Sequence, residues 1–317
     1  MLIYIAKRLL MTLAVLFLVI VFLSVLVQVV PGDPAKVILG PRASPELIQK
    51  VNASMDLDKP IYVQIAKFLW RVLHGDLGKD VFTGVSINRL VGAALPHTIV
   101  LALSSLGTAV LIGVPLGVFS ATHPDSWLDR LTAILSISFT TIPSYVAGLF
   151  LLLIFAVELK VMPAIGLGEE GNLKDYLMHL ILPTVALAIT WIGYLARLVR
   201  TSMLEVLNET YVRAARAAGL SEWLVRYRYA LKNALIPTVA VLGVGLGSLM
   251  GGAVLVEVIF NRPGMGMLIY TAIKARNYPI VRSGVLVVAF LFVFINFLTD
   301  LVYTYLDPRI QLGKSRG

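Results

Sequence analysis

The chain has 317 residues, 58% of them hydrophobic and only 14% charged, with a mean hydropathy of +0.86. Soluble domains carry about 25% charged residues, so the composition excludes an ordinary soluble fold and points to an all-α protein that crosses a bilayer several times. The absence of cysteine excludes disulfides, thiolate metal sites and cysteine nucleophiles, and the net charge of +9 fits cytoplasmic loops against anionic lipid, not nucleic acid.

Lys7 and Arg8 precede the uncharged run Leu9–Val30. That run is longer than the apolar core of a signal peptide, about 7–15 residues. It ends in Pro31-Gly-Asp-Pro34 instead of a small-residue cleavage site, so residues 1–30 are expected to hold an uncleaved first span. Residues 31–96 are too polar to cross the membrane. Within them, Ser44-Pro45-Glu46 has the form of a helix start, Lys59-Pro60 a break, Ile61–Leu73 helical spacing of apolar residues, and His74-Gly-Asp-Leu-Gly78 a turn. This segment is expected to form a small helical cap outside the cytoplasm.

A span needs about 20 mainly apolar residues. Five more follow: His97–Ala121, Leu131–Val157, Leu177–Ala196, Ile236–Val256 and Ser283–Leu306. Pro143 and Pro183 are expected to interrupt the third and fourth, and interrupted helices often line transport pathways. Asp300, in the last span, is expected near the interface or facing protein. Six spans place both termini on one side. With the termini inside, the inner segments carry thirteen Lys and Arg and the two short outer loops six. The long 31–96 segment largely escapes this rule, so both termini are assigned to the cytoplasm. The five-helix core covers 97–306, with a cytoplasmic loop over 200–235, and 307–317 form a tail.

No catalytic constellation is evident. Gly313-Lys314-Ser315 has Pro308 where a phosphate-binding loop needs its first glycine, so the chain is not expected to hydrolyse ATP. His74, His97, His123 and His179 lack metal-ligand spacing, and no GxSxG is present. Gly243, Gly247 and Gly251 recur every four residues and give the fifth span a smooth face, equally suited to packing within the chain or against another subunit.

The loop from Arg197 to Lys232 is much longer than an ordinary helix connection of about 2–8 residues. Ala214, Ala215, Ala217 and Ala218 predict a slender helix from which Arg213 and Arg216 project. Gly219 would end it in a left-handed turn, and Ser221 could cap a second helix running through Trp223 and Leu224 to Leu231. Such an element suits either a groove on a partner protein or the inner leaflet, its arginines on lipid phosphates.

Arg213-Ala214-Ala215, with Gly219 and Leu220 following, resembles the EAA motif of binding-protein-dependent ABC importer permeases, with Arg213 at the position of the motif's glutamate. Ala230-Leu-Lys-Asn-Ala-Leu-Ile-Pro237 is similar to the dipeptide and oligopeptide subfamily, which nickel and glutathione permeases also resemble. Pro31-Gly-Asp-Pro34, Leu57-Asp-Lys-Pro60, Tyr62-Val-Gln64, His74-Gly-Asp-Leu-Gly78, Leu95-Pro96-x-Thr98, Phe260-x-x-Pro-Gly-Met-Gly266, Asn277-Tyr-Pro279 and Leu306-Asp-Pro-Arg309 extend the resemblance over nearly the whole chain. It implies the type I importer architecture, a multi-pass protein of a prokaryotic inner membrane, and import of di- or oligopeptides. The implied partners are a second related permease, two cytoplasmic ABC ATPases that bind ATP and Mg, and an extracytoplasmic solute-binding protein. No cofactor is expected in this chain. Arg213, Ala214, Ala215, Gly219 and Leu220 would couple to an ATPase. An ion-gradient-driven secondary transporter is the alternative of another class; it should show paired intramembrane carboxylates or inverted repeats, and the spans offer little beyond Asp300 and the flanking Glu257.

Overall fold

A computed structural model describes residues 2–29, 35–36 and 43–306; Pro31-Gly-Asp-Pro34, Asp307–Arg309 and Gly313-Lys314-Ser315 lie outside the described residues. The described chain is helical. Its one bridge between extended residues, Lys79 with Ser86, closes a turn. In chain order the helices are α1 (Leu2–Val29), α2 (Pro45–Ser54), α3 (Ile61–Leu73), α4 (Ile87–Thr122), α5 (Trp127–Thr141), α6 (Ser144–Glu158), α7 (Leu173–Leu207), α8 (Thr210–Ala217), α9 (Glu222–Ala234), α10 (Ile236–Gly252), α11 (Val254–Ile259), α12 (Met265–Lys274) and α13 (Tyr278–Leu306). Three of these, α4, α7 and α13, are long and apolar enough to cross a membrane alone; two bent pairs, α5–α6 and α9–α10, bring the spans to five, and α1 adds the apolar stretch Leu10–Leu26.

One sequence expectation holds and two need correction. First, Pro143 interrupts the third span as expected, with a 102° bend between α5 and α6. Ile142 is extended because the residue before a proline is barred from the helical region, and Pro143 then opens α6. Second, Pro183 does not interrupt the fourth span: α7 runs through it for 35 residues. Where no water competes for backbone groups, one lost hydrogen bond leaves a membrane helix intact. Third, α4 begins ten residues before the expected start of the second span. The extension carries Arg89 and so reads as too polar to cross a bilayer, yet Ile87, Val91 and Ala94 bury one face of it.

The chain forms two compact units: residues 1–98 with 262–294, and residues 99–261 with 295–317. Helices α4 and α13 contribute to both.

In the first unit, Ser44 caps α2 by accepting from the Leu47 N–H, with Pro45 at the first helical position as its sequence predicts. One apolar cluster joins Ile20 of α1, Phe68 of α3 and Leu286 of α13; a second joins Ile87, Val91 and Ala94 of α4 to Met265, Ala272 and Ile280. Polar bonds lock the connections between them. Thr98 Oγ1 accepts from the Met265 N–H at 2.8 Å and so satisfies one free donor at the start of α12. Asn277 donates to Asp80, and the Ser283 hydroxyl donates to the Leu77 carbonyl at 2.7 Å. Asp56 receives Lys59, Lys67 and Arg71 at 2.9–3.1 Å.

The second unit is built on α7. Gly113 and Gly117 of α4 lie directly on it: a Cβ on Gly117 would sit 2.6 Å from the Ala196 carbonyl oxygen and 2.8 Å from Val199 Cβ. From the other side, a Cβ on Gly193 of α7 would sit 2.7 Å from the Ser136 carbonyl oxygen of α5. Small residues four apart permit this closeness, and in lipid such contact replaces the hydrophobic drive that helices have in water. Asp129 of α5, nearly buried, closes a two-bond ion pair with Arg200 of α7 at 2.7 and 2.9 Å.

Gly117→Ala should destabilise the protein by about 1–3 kcal/mol, since even one methyl overpacks the contact. Gly107→Ala on the same helix meets nothing within 4 Å and should gain up to about 1 kcal/mol of helix propensity. Thermal unfolding in detergent of the two variants checks the contrast; equal shifts would refute it.

Burial raises the Asp80 carboxyl pKa, but donors from Thr83, the Phe82 N–H, Asn277 and the Thr83 N–H outweigh it and hold the group below its ordinary 3.8. Its stabilising contribution is therefore complete above pH 3.8 and is lost as pH falls through the lower folded value. Asp80→Asn should cost about 2–3 kcal/mol near neutral pH, the scale of hydrogen bonds to a charged acceptor. The difference in melting temperature between wild type and variant should shrink on acidification; a difference that grew would contradict this assignment.

Candidate functional site: the cytoplasmic loop

α8 forms because Ala214, Ala215, Ala217 and Ala218 have little side-chain entropy to lose. It ends where expected. Gly219 takes φ +78°, the left-handed conformation that glycine adopts without steric cost. Its N–H donates to the Arg216 carbonyl at 3.0 Å and the Leu220 N–H to the Ala215 carbonyl at 3.3 Å. These two bonds make a Schellman motif, and Leu220 packs on the Val212–Ala215–Val225 cluster beside it, the hydrophobic contact that usually accompanies the motif. Ser221 stands at the start of α9, but its side chain makes no capping bond, contrary to expectation. The junction is held by ion pairs instead: Glu222 accepts from Arg216 at 2.9 Å and from Arg226 at 3.2 Å. Asn233 also donates to the Tyr211 hydroxyl at 2.7 Å.

The five sequence-selected residues divide by exposure. Ala215 is buried and Leu220 half-buried, both facing the chain's own core, whereas Arg213, Ala214 and Gly219 are exposed. Ala217 and Ala218 join them, so the free face of α8 is a patch of small side chains edged by Arg213. A Cβ at Gly219 would meet nothing within 4 Å; glycine is required there by the backbone angle, not by space.

The loop is rooted in the membrane helices. Val118 and Ala121 of α4, Val199 and Met203 of α7, and Ala230 and Ala234 of α9 form one buried cluster. Ala230 closes a π-helical turn, Val225–Ala230; such turns are rare and frequent at functional sites. Pro237 then opens α10 after a 48° bend.

Gly243, Gly247 and Gly251 do not share one environment. Gly243 lies against Thr299 of α13, Gly247 is buried, and Gly251 is exposed. At 3.6 residues per turn, each step of four advances the face by about 40°, so the three glycines spread over about 80° of the helix surface. Sequence reasoning passed over Gly113 and Gly117, although their spacing was visible. It also passed over a cavity of about 490 Å3 lined by Thr140, Thr190, Trp191, Tyr194 and Arg197 with α10 residues. Trp191 rests on Gly245, whose Cβ would come within 2.6 Å of the ring.

Comparison with known proteins identifies this arrangement. Residues 113–312 match the family described as binding-protein-dependent transport system inner membrane component, and residues 1–102 match its N-terminal part. The chain belongs to that family. It is 39% identical to a probable peptide ABC transporter permease of Sinorhizobium fredii, over 98% of this chain and 99% of that one. It is also 39% identical to a probable D,D-dipeptide transport system permease of Escherichia coli, over 90% and 91%. Among solved structures, the inward-facing MetNI methionine ABC transporter matches with a TM-score of 0.57 at 20% identity, covering 69% of this chain and 96% of that one, which establishes the shared fold. The permease is thus an inner-membrane subunit of an ABC importer; ATP hydrolysis belongs to separate partner subunits, and an extracytoplasmic binding protein works with such permeases.

Proposed function

We propose that this permease forms half of a translocation path for di- or oligopeptides. A second related permease supplies the other half, two cytoplasmic ATPases bind ATP and Mg, and an extracytoplasmic binding protein delivers the solute. The supporting observation is end-to-end similarity to a peptide permease, 39% identical over 98% of this chain. The Trp191–Tyr194–Arg197 cavity suits such solutes, offering two aromatic faces and a cation for a carboxylate.

In this reading α8 is the coupling helix. Its free face of Ala214, Ala217 and Ala218 enters a cleft of one ATPase, while Val212 and Ala215 bind it to α7 and α9. Closure of the ATPase pair moves α8, and the buried cluster beneath α9 carries that displacement to α4 and α7. Arg213 stands where a carboxylate is usual, so docking rests on helix shape and on contact through the alanines.

Reconstitution in proteoliposomes tests the assembly. ATP-dependent uptake of a labelled dipeptide should require both permeases, the ATPases and the binding protein. Uptake by this chain alone would overturn the reading; uptake of nickel or glutathione, but no peptide, by the full assembly would keep the machinery and change the solute.

Gly219→Val forces a β-branched residue into a left-handed conformation that costs even ordinary residues about 1–2 kcal/mol. Assembled transporters carrying it should hydrolyse ATP with little uptake, or should lose the ATPases on purification. Wild-type uptake per ATP hydrolysed would remove α8 from its proposed role.

A further inference from the structure

Arg282, near the start of α13, is 8% exposed. Its guanidinium lies 4.3 Å over the Phe68 ring, and its Nε has no hydrogen-bond partner among the described residues. It opens onto a cavity of about 390 Å3, wholly within the first compact unit, whose lining also includes Arg71, Lys79, Asp76 and Asp80. The two carboxylates are already engaged. Asp76 accepts from the Gly78 N–H at 2.8 Å; Asp80 accepts from the Phe82 N–H, Thr83 and Asn277. Arg71 is turned to Asp56 at 3.1 Å. Arg282 therefore faces the cavity as a cation with no carboxylate within ion-pair reach.

A charge removed from water normally neutralises or finds a counter-ion. Arginine does not neutralise. Contact with Phe68 offsets part of the cost and also fixes the guanidinium, whose donor fork matches two oxygens of one oxyanion. Lys79 adds a second, exposed cation at the rim.

We propose that this cavity binds a phosphate group, with Arg282 as the anchor. Two sources offer that chemistry, a phospholipid head group and free phosphate. The surroundings favour lipid: Tyr62, Trp70 and Leu73 of α3, and Phe82 beside the cavity, are all exposed, and tryptophan and tyrosine concentrate where protein meets the membrane–water interface.

The test uses the assembled transporter, purified in mild detergent and compared with Arg282→Met, which keeps a long apolar stem over Phe68, and Arg282→Lys. Native mass spectrometry after exchange into phosphatidylglycerol or phosphatidylcholine nanodiscs should show lipid retained on the wild type. Retention should fall about tenfold in Arg282→Met, the scale of losing one bidentate charged pair, with partial recovery in Arg282→Lys. In a second arm, inorganic phosphate is titrated into delipidated protein. A phosphate-dependent rise in melting temperature that Arg282→Met abolishes, without lipid retention, would assign the site to free phosphate. If neither lipid retention nor the phosphate response differs between wild type and Arg282→Met, the site does not exist. Should Arg282→Met fail to fold, Lys79→Gln takes its place: a several-fold weaker response supports the site, and an unchanged one overturns it.

Discussion

Contact between backbones at Gly113, Gly117 and Gly193 is the constraint on which the second unit depends. Lipid tails are as apolar as leucine, so burying apolar surface between helices gains little in a bilayer, and association rests on close packing and polar bonds. α7 accepts α4 on one side and α5 on the other at distances that exclude even a methyl group. The Asp129–Arg200 pair fastens α5 to α7 at a third point, with two bonds in the fork geometry that arginine allows. Helices held this closely move as a body, because a close-packed interface shifts between discrete arrangements more readily than it deforms.

That stiffness is what the proposed coupling through α8 would rely on. α8 alone is two turns long and would be marginal in water. Here Val212, Ala215 and Leu220 secure it to α7 and α9, the Schellman turn fixes its end, and Arg216–Glu222–Arg226 holds the elbow. A push on its exposed alanine face meets few soft joints before reaching the cluster that α9 shares with α4 and α7. The exposed ion pairs contribute less energy than direction, since pairs of that kind are worth only about 0–1 kcal/mol.

What was legible in the sequence follows from which forces act locally. Spans, turns and the end of α8 were readable because apolar runs, Ser44-Pro45 and Gly219 dictate conformation through their own atoms. The 102° break was half legible: Pro143 announced it, but an identical residue at Pro183 leaves α7 continuous. The difference lies in what surrounds each proline, and no local pattern carries that. The same holds for glycines. Gly243 meets Thr299 and Gly251 is exposed, so their shared spacing does not say what packs on that face, whereas Gly113 and Gly117 carry a helix contact that no motif marked. Spacing marks where a close approach is possible; only the neighbour decides whether it happens. Arg282 was invisible for the same reason, since its isolation depends on Asp76, Asp80 and Arg71 all being engaged elsewhere.

The motifs that marked the family most clearly prove to be architectural. Thr98 of Leu95-Pro96-x-Thr98 holds Met265 of the Phe260 motif; Leu77 of His74-Gly-Asp-Leu-Gly78 accepts from Ser283; Asn277 of Asn277-Tyr-Pro279 binds Asp80. Phe260 itself fills the space over Gly148, 3.3 Å from where its Cβ would be, and its carbonyl accepts from Gly166. These residues join segments as many as 206 positions apart; Asn277 and Asp80 depend on each other's side chains, whereas Thr98 and Ser283 bind the backbone of Met265 and Leu77 and need only their own hydroxyls. The Trp191–Tyr194–Arg197 cavity is built differently: Trp191 and Tyr194 pack partly on the Ala188–Ile192–Leu195 cluster, and Trp191 on Gly245, while Arg197 is exposed. A fingerprint composed of residues that join segments identifies the machine and is silent about the solute. Arg197 is the lining position least tied to the packing, so it is where a change can alter the cavity with the smallest cost to the fold.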